Sequence, residues 1–129
     1  MSWKFRSLMV MTIGVVALLM AGCTSSEVTE TRKLLINHVD LQKAANGIYE
    51  GEYGYGKFTY VVEVAIQDHR IARISVLMNR DTKRAKMAEG VVGKVMDYQR
   101  NDVDVVSGAT TTSKALLKAI ENAIMKSIP

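Results

Sequence analysis

Residues 47–79 read GIYEGEYGYGKFTYVVEVAIQDHRIARISVLMN, and this stretch decides the fold. From Lys57 to Gln67 the side chains alternate, with Phe58, Tyr60, Val62, Val64 and Ile66 on one face. A period of two marks a half-buried strand. Ile71 to Asn79 alternates again, with Ile71, Arg73, Ser75 and Leu77 on one side and Ala72, Ile74, Val76 and Met78 on the other. β-branched residues dominate both runs. Asp68-His69-Arg70 reads as the turn between them, without the usual glycine. Ile48 to Tyr53 is a shorter strand set among glycines. Connections this short imply antiparallel pairing, because a parallel pair needs a crossover of roughly a dozen residues or more.

Downstream the period changes. Asp81 or Thr82 can cap a helix running to about Gln99, in which Ala85, Ala88, Val92, Val95, Met96 and Gln99 share one face. Gly90 and Gly93 interrupt it, each at a cost of about 1 kcal/mol against alanine. Val103 to Val106 reads as a brief strand. Ser113 to Ser127 reads as the last helix, with Leu116, Leu117, Ile120, Ala123 and Ile124 toward the core. Upstream, Leu34, Leu35, Val39, Leu41 and Ala44 suggest a short helix between Arg32 and Ala45, ended by Asn46-Gly47. The order helix, three strands, helix, short strand, helix is that of an α+β domain: a small antiparallel sheet packed with helices.

The 129-residue chain argues for one such domain, preceded by a leader. Lys4 and Arg6 precede an uncharged run from Leu8 to Ala21. That run is short for a membrane span of roughly 20 residues and reads as a secretory signal peptide. It ends in Leu-Met-Ala-Gly-Cys, residues 19–23, which resembles a bacterial lipobox with Met20 where leucine is usual. The resemblance implies cleavage before Cys23 and its lipidation. Cys23 is the sole cysteine, so it has no partner for an intrachain disulfide. The expected organisation is a signal peptide over residues 1–22, a lipidated tether and short helix over 23–45, and the domain over 46–129.

Charge narrows the partners. The chain has 17 Lys and Arg against 13 Asp and Glu, and the leader holds two of the basic residues and none of the acidic ones. The mature part is therefore near +2, without a basic patch interleaved with aromatics, which disfavours nucleic acid. His38 and His69 stand far apart, so a metal cluster is not expected.

Five hydroxyls fall within seven residues at the expected last turn: Ser107, Thr110, Thr111, Thr112 and Ser113, around Gly108 and Ala109. The first four N–H groups of a helix lack partners inside it, and the helix dipole makes that end positive. A phosphate is stabilised there by both effects, and Gly108 lets the backbone turn tightly. The stretch is not a P-loop, since it lacks two spaced glycines and Gly-Lys-Ser/Thr. It has no nucleophile elbow. Physics leaves two readings open: an anion site, or a cap in which Thr111, Thr112 or Ser113 bonds the first N–H groups.

Asp104-Val-Val-Ser107-Gly108-Ala109-Thr110 resembles the flavinylation signature of the bacterial FMN-binding domain family. That family includes extracytoplasmic domains of the sodium-pumping NADH:quinone reductase and of the related electron-transport complex. Gly47-Ile-Tyr-Glu-Gly51 is similar to the family's strand-rich opening, so the resemblance spans about residues 46–126. It implies FMN joined through its phosphate to Thr110, with Thr111, Thr112 and Ser113 as cap and phosphate donors and Ser107 and Gly108 shaping the turn. A threonine hydroxyl needs a base to become a nucleophile, and the turn holds no His, Asp or Glu. The family's answer is a separate flavin transferase using FAD and magnesium. Asp104 then serves that enzyme's recognition or metal, or is a solvated strand-edge carboxylate. Met78, Tyr53, Tyr55 and Gly90 are candidates to meet the flavin ring, although aromatics and methionine in a sheet are more often core.

The expected function is thus an extracytoplasmic, lipid-anchored FMN carrier in a bacterial envelope, exchanging electrons with redox partner proteins. The chain shows no nicotinamide site and no acid–base pair, so it reads as a carrier rather than a complete enzyme. The alternatives are a reductase or oxidase holding FMN non-covalently, and a non-catalytic envelope lipoprotein whose hydroxyl-rich turn only caps a helix.

Overall fold

The computed structural model describes residues 28–129. The expected leader, Cys23 and the first residues of the expected tether lie outside the described residues. The chain opens with helical residues 28–32 (α1) and reaches a single 3-10 turn at Leu41–Lys43. It then forms β1 (Gly47–Tyr55), β2 (Phe58–Gln67) and β3 (Arg70–Met78), paired antiparallel in the order β1-β2-β3. Helices α2 (Lys83–Ala88), α3 (Gly90–Tyr98) and α4 (Thr110–Lys126) follow. The fold is α+β: α4 packs across β1 and β2, and one layer of core lies between helix and sheet.

The alternation of β2 is realised as expected. Tyr60, Val62, Val64 and Ile66 are buried and Phe58 half-buried on the core face. The β2–β3 turn works without glycine because Asp68 and His69 both adopt left-handed backbone, with φ of 52° and 61°. Two such residues give a hairpin turn whose twist matches the strands. β3 departs from simple alternation. Ile71 pairs with Ile66 but Arg73 with Ala65, and Val76 pairs with Val62 but Met78 with Val61. Ala72 and Leu77 are the extra residues at these two bulges. A bulge shifts the facing of all that follows, so Ile71, Ile74 and Val76 share the core side and Arg73 joins the outer face.

Four other expectations are corrected. First, no helix spans Arg32 to Ala45. Residues 34–40 form neither helix nor strand, and side chains from elsewhere bond part of their backbone. Lys114 Nζ donates to the Leu34 carbonyl (2.9 Å), Glu121 accepts from the Asn37 N–H (3.0 Å), and Asn101 Oδ1 accepts from the Val39 N–H (2.9 Å). Leu35, assigned to an apolar face, is 79% exposed. Second, the single helix after Asp81 is two. Thr82 caps α2 by accepting from the Ala85 N–H (3.1 Å), and the chain breaks at Glu89 before Gly90. The buried residues of α3 are Val91 and the expected Val95, not Val92. Third, Val103 to Val106 forms no strand, since Lys94 Nζ takes the carbonyls of Asp104 and Val105 and Ser113 Oγ takes the Val106 N–H. Fourth, the last helix begins at Thr110, three residues before Ser113.

Glu121 shows how the extended segment is held. It is 2% exposed on α4 and accepts from the Asn37 N–H, from Asn37 Nδ2 (3.3 Å) and from Lys118 Nζ (3.0 Å). Removing one partner of a buried pair strands the others. Glu121→Ala is expected to cost about 2–4 kcal/mol in urea unfolding. A loss under about 0.5 kcal/mol, usual for surface substitutions, would show that the segment is not anchored there.

Candidate functional site

The N-terminus of α4 is built by a tight turn. Gly108 sits at φ 81°, and the Ala109 N–H donates to the Val106 carbonyl (3.0 Å). An L side chain at that φ is strained by about 1–2 kcal/mol, which accounts for the glycine. Ala109 is the N-cap and offers no side-chain bond. The cap reading of the hydroxyls is therefore corrected: Ser113 Oγ turns back to the Val106 N–H (3.1 Å), and neither Thr111 nor Thr112 caps the helix. Backbone N–H groups of Thr110, Thr111 and Thr112 have no acceptor among the described residues.

These N–H groups stand at one wall of a cleft of about 220 Å³. Residues Gly108 to Thr112 form that wall, and Tyr55 and Phe58 at the β1–β2 hairpin face it. Arg80 and Arg84, flanking the start of α2, close one side; Val28 and Arg32 of α1 close the other. The hairpin turns at Gly56 (φ 55°), which brings the Tyr55 and Phe58 rings to 5.7 Å, edge to face. The Arg80 guanidinium lies 3.9 Å over the Phe58 ring, a cation–π contact. Arg32 Nε donates to Thr111 Oγ1 at 2.9 Å.

Below the cleft is a phenol pair. Tyr60, fully buried, donates to the Tyr55 hydroxyl (3.0 Å), and its ring stacks on Tyr55 at 5.7 Å. Burial, then the Tyr55 bond, pushes the Tyr60 phenol far above its ordinary range, and a bond from the Thr112 side chain opposes the shift. Thr112 is thus turned inward onto the floor, leaving Thr110 and Thr111 as the half-buried hydroxyl residues of the cleft.

Of the sequence candidates, Gly108, Ala109, Thr110, Thr111, Thr112 and Tyr55 meet at this cleft. Ser107 is exposed and outside its lining, and Ser113 is buried behind it. Tyr53 bonds Thr31 Oγ1 (3.1 Å), Met78 is half exposed outside the cleft lining, and Gly90 faces Val106. Asp104 lines a different cleft, of about 520 Å³, with Lys94, Asp97, Tyr98, Arg100 and Asp102. Sequence reading missed Arg32, Arg80, Arg84 and Phe58. The Arg80 and Arg84 spacing of four around Thr82, a capping residue, was the available signal.

The second cleft is self-compensated. Arg100 grips Asp102 with Nε (2.8 Å) and a terminal nitrogen (2.6 Å), and His38 Nδ1 lies 3.3 Å from the same carboxylate. The Arg100 bond holds the Asp102 carboxyl down to about 2, against partial burial. A depressed carboxylate stabilises the fold above its unfolded pKa of about 3.9, and that contribution is lost as pH falls from there through about 2. Carboxyl NMR is expected to place the Asp102 midpoint near 2, with Arg100→Ala returning it toward 3.9; a wild-type midpoint near 4 would contradict the pairing.

Among the described residues no helix is long and apolar enough to cross a membrane, and no group of three or more His, Cys, Asp or Glu stands together. A family model described as an FMN-binding domain matches residues 54–125, more than half of the chain. Over 86 residues the chain is 31% identical to an uncharacterized protein of Treponema pallidum (strain Nichols), covering 65% of this chain and 24% of that protein. The chain thus spans about a quarter of the length of this curated relative.

Proposed function

The chain belongs to the FMN-binding domain family and is a flavin-binding protein, and on that premise we propose that it carries FMN as a phosphoester on Thr110 and passes electrons outside the cytoplasm. The observation that carries this reading is the open start of α4. A 17-residue helix brings three N–H groups without an acceptor among the described residues, and the Thr110 residue, to one arginine-walled cleft. Those groups fit a phosphate. The cleft is smaller than the roughly 300–1,000 Å³ that encloses a drug-sized ligand, so it suits the phosphate end of FMN, with Tyr55 and Phe58 beside the ribityl and ring portion.

Attachment needs an activating base, and among the described residues no carboxylate or histidine lines the cleft. A partner transferase using FAD and magnesium supplies it. Thr110 Oγ1 takes the phosphorus of the FMN half, the bond to the AMP half breaks, AMP leaves, and the hydroxyl proton passes to the transferase. Asp104, exposed at the second cleft, is available for that enzyme's recognition or metal.

When bound, the flavin supplies one- and two-electron chemistry. The Thr110–Thr112 N–H groups and the cleft arginines would hold its phosphate, with Tyr55 and Phe58 as the aromatic residues of the same lining. Lipidation of Cys23 after removal of residues 1–22 would anchor the domain to a membrane of the cell envelope, near redox partner proteins. Co-expression with a flavin transferase tests the linkage. Acid-precipitated protein is expected to be yellow with a flavin-free supernatant, whereas release of all flavin would point to non-covalent binding. Colourless protein from that host would favour a non-catalytic lipoprotein.

A further inference from the structure

We infer that Arg32, Arg80 and Arg84 form a phosphate-recognition cradle, and that Arg32 brings to it a segment lying outside the matched domain. This rests on the reading that the cleft receives FMN. Arg32, Arg80 and Arg84 line one cleft, and among the described residues no Asp or Glu lines it with them. None of the three has a carboxylate within ion-pair distance among the described residues, whereas Arg73 pairs with Glu63 (3.1 Å) and Arg100 with Asp102. Three cations without an acidic partner among the described residues, beside the positive end of a helix, repel one another. An anion between them turns that repulsion into attraction.

The geometry suits a phosphate end rather than a point charge. Guanidinium presents a planar fork of donors that matches two phosphate oxygens. Arg80 already lies over the Phe58 ring, so part of its freedom is spent before binding. Arg32 uses Nε on Thr111 Oγ1, leaving both terminal nitrogens without an acceptor among the described residues. Its position is set by Thr31, which is 1% exposed and bonded to the Tyr53 hydroxyl. Residues 28–32 precede the matched region, which starts at residue 54, so the stretch leading from the tether doubles as a wall of the cofactor site. The cradle docks the phosphate beside Thr110 whether or not an ester follows.

The test uses the full chain from a host lacking a flavin transferase. Its affinities for FMN and riboflavin, which differ only in the phosphate, are measured by quenching of flavin fluorescence. FMN is expected to bind about tenfold or more tightly than riboflavin, since hydrogen bonds to charged groups contribute about 1.5–3 kcal/mol. Inorganic phosphate should compete, and the preference should shrink with rising ionic strength. Arg32→Gln with Arg84→Gln should remove most of the preference while changing riboflavin affinity less than about twofold, and Lys at both positions should restore part of it. A wild-type chain binding FMN no better than riboflavin, or a double Gln variant keeping the full preference, would overturn the proposal. Covalent attachment is read separately by mass. A chain that prefers FMN yet is never esterified would contradict the Thr110 linkage and leave the cradle standing.

Discussion

Thr110→Ala, co-expressed with a flavin transferase, is expected to carry no covalent flavin while folding like the wild type. Thr110 is the first residue of α4, and its side chain makes no hydrogen bond among the described residues. Alanine is the best helix former, so the change in stability should stay within about 0.5 kcal/mol. The loss is chemical: without an oxygen at that position there is no atom to bond the phosphorus. Flavin fluorescence on a denaturing gel reads it directly. Thr110→Ser should restore labelling, because serine keeps the hydroxyl. Thr111→Ala should keep the flavin. Thr112→Ala should also keep it but lower stability, because Thr112 is buried, at 6% exposure, and acts on the buried Tyr60 phenol. Covalent flavin on the Thr110→Ala variant would move the attachment elsewhere.

The second large effect concerns the fold that holds the site. β1 crosses α4 at Gly51, where an added Cβ would stand 2.1 Å from the Ala119 carbonyl oxygen and 2.4 Å from the Ala123 nitrogen. Both obstacles are backbone, so neither can rotate away. The helix would have to lift from the sheet across Leu116, Ile120 and Ala123, all fully buried. Gly51→Ala is therefore expected to cost at least about 3 kcal/mol, at or beyond the upper end for overpacking. In a domain of this size each kcal/mol corresponds to roughly 4–8 °C in Tm. Gly93→Ala supplies the opposite sign. Nothing stands within 4 Å of a Cβ there, on the exposed side of α3, and alanine should stabilise by up to about 1 kcal/mol. Thermal unfolding of both variants checks the pair. A Gly51→Ala variant within about 1 kcal/mol of wild type would mean that β1 and α4 are not in this contact.

Legibility in the sequence differed from element to element. Strand β2 was readable because Tyr60, Val62, Val64 and Ile66 report one buried face by simple alternation. β3 was readable as a strand but not in its facing, because bulges at Ala72 and Leu77 leave no mark in composition. The segment 34–40 misled because Leu35 and Val39, and then Leu41 and Ala44, sit at helical spacings of four and three. Part of its backbone is instead bonded by Lys114, Glu121 and Asn101, at least 60 residues away in the chain, and a local pattern does not report such distant partners. At the site, the hydroxyl-rich turn was plain in sequence. Its arginines were not, since Arg32, Arg80 and Arg84 come from separate elements and look like ordinary surface cations until α4 is placed between them.

Whether Thr110 carries FMN is tested most directly by intact mass and tandem mass spectrometry of the native chain extracted from its own membranes. The expected result is a mass increase of one FMN less one water, carried on the peptide containing Thr110, together with a lipid adduct at Cys23. A native chain of unmodified mass at Thr110, or a flavin mapped to another residue, would contradict it.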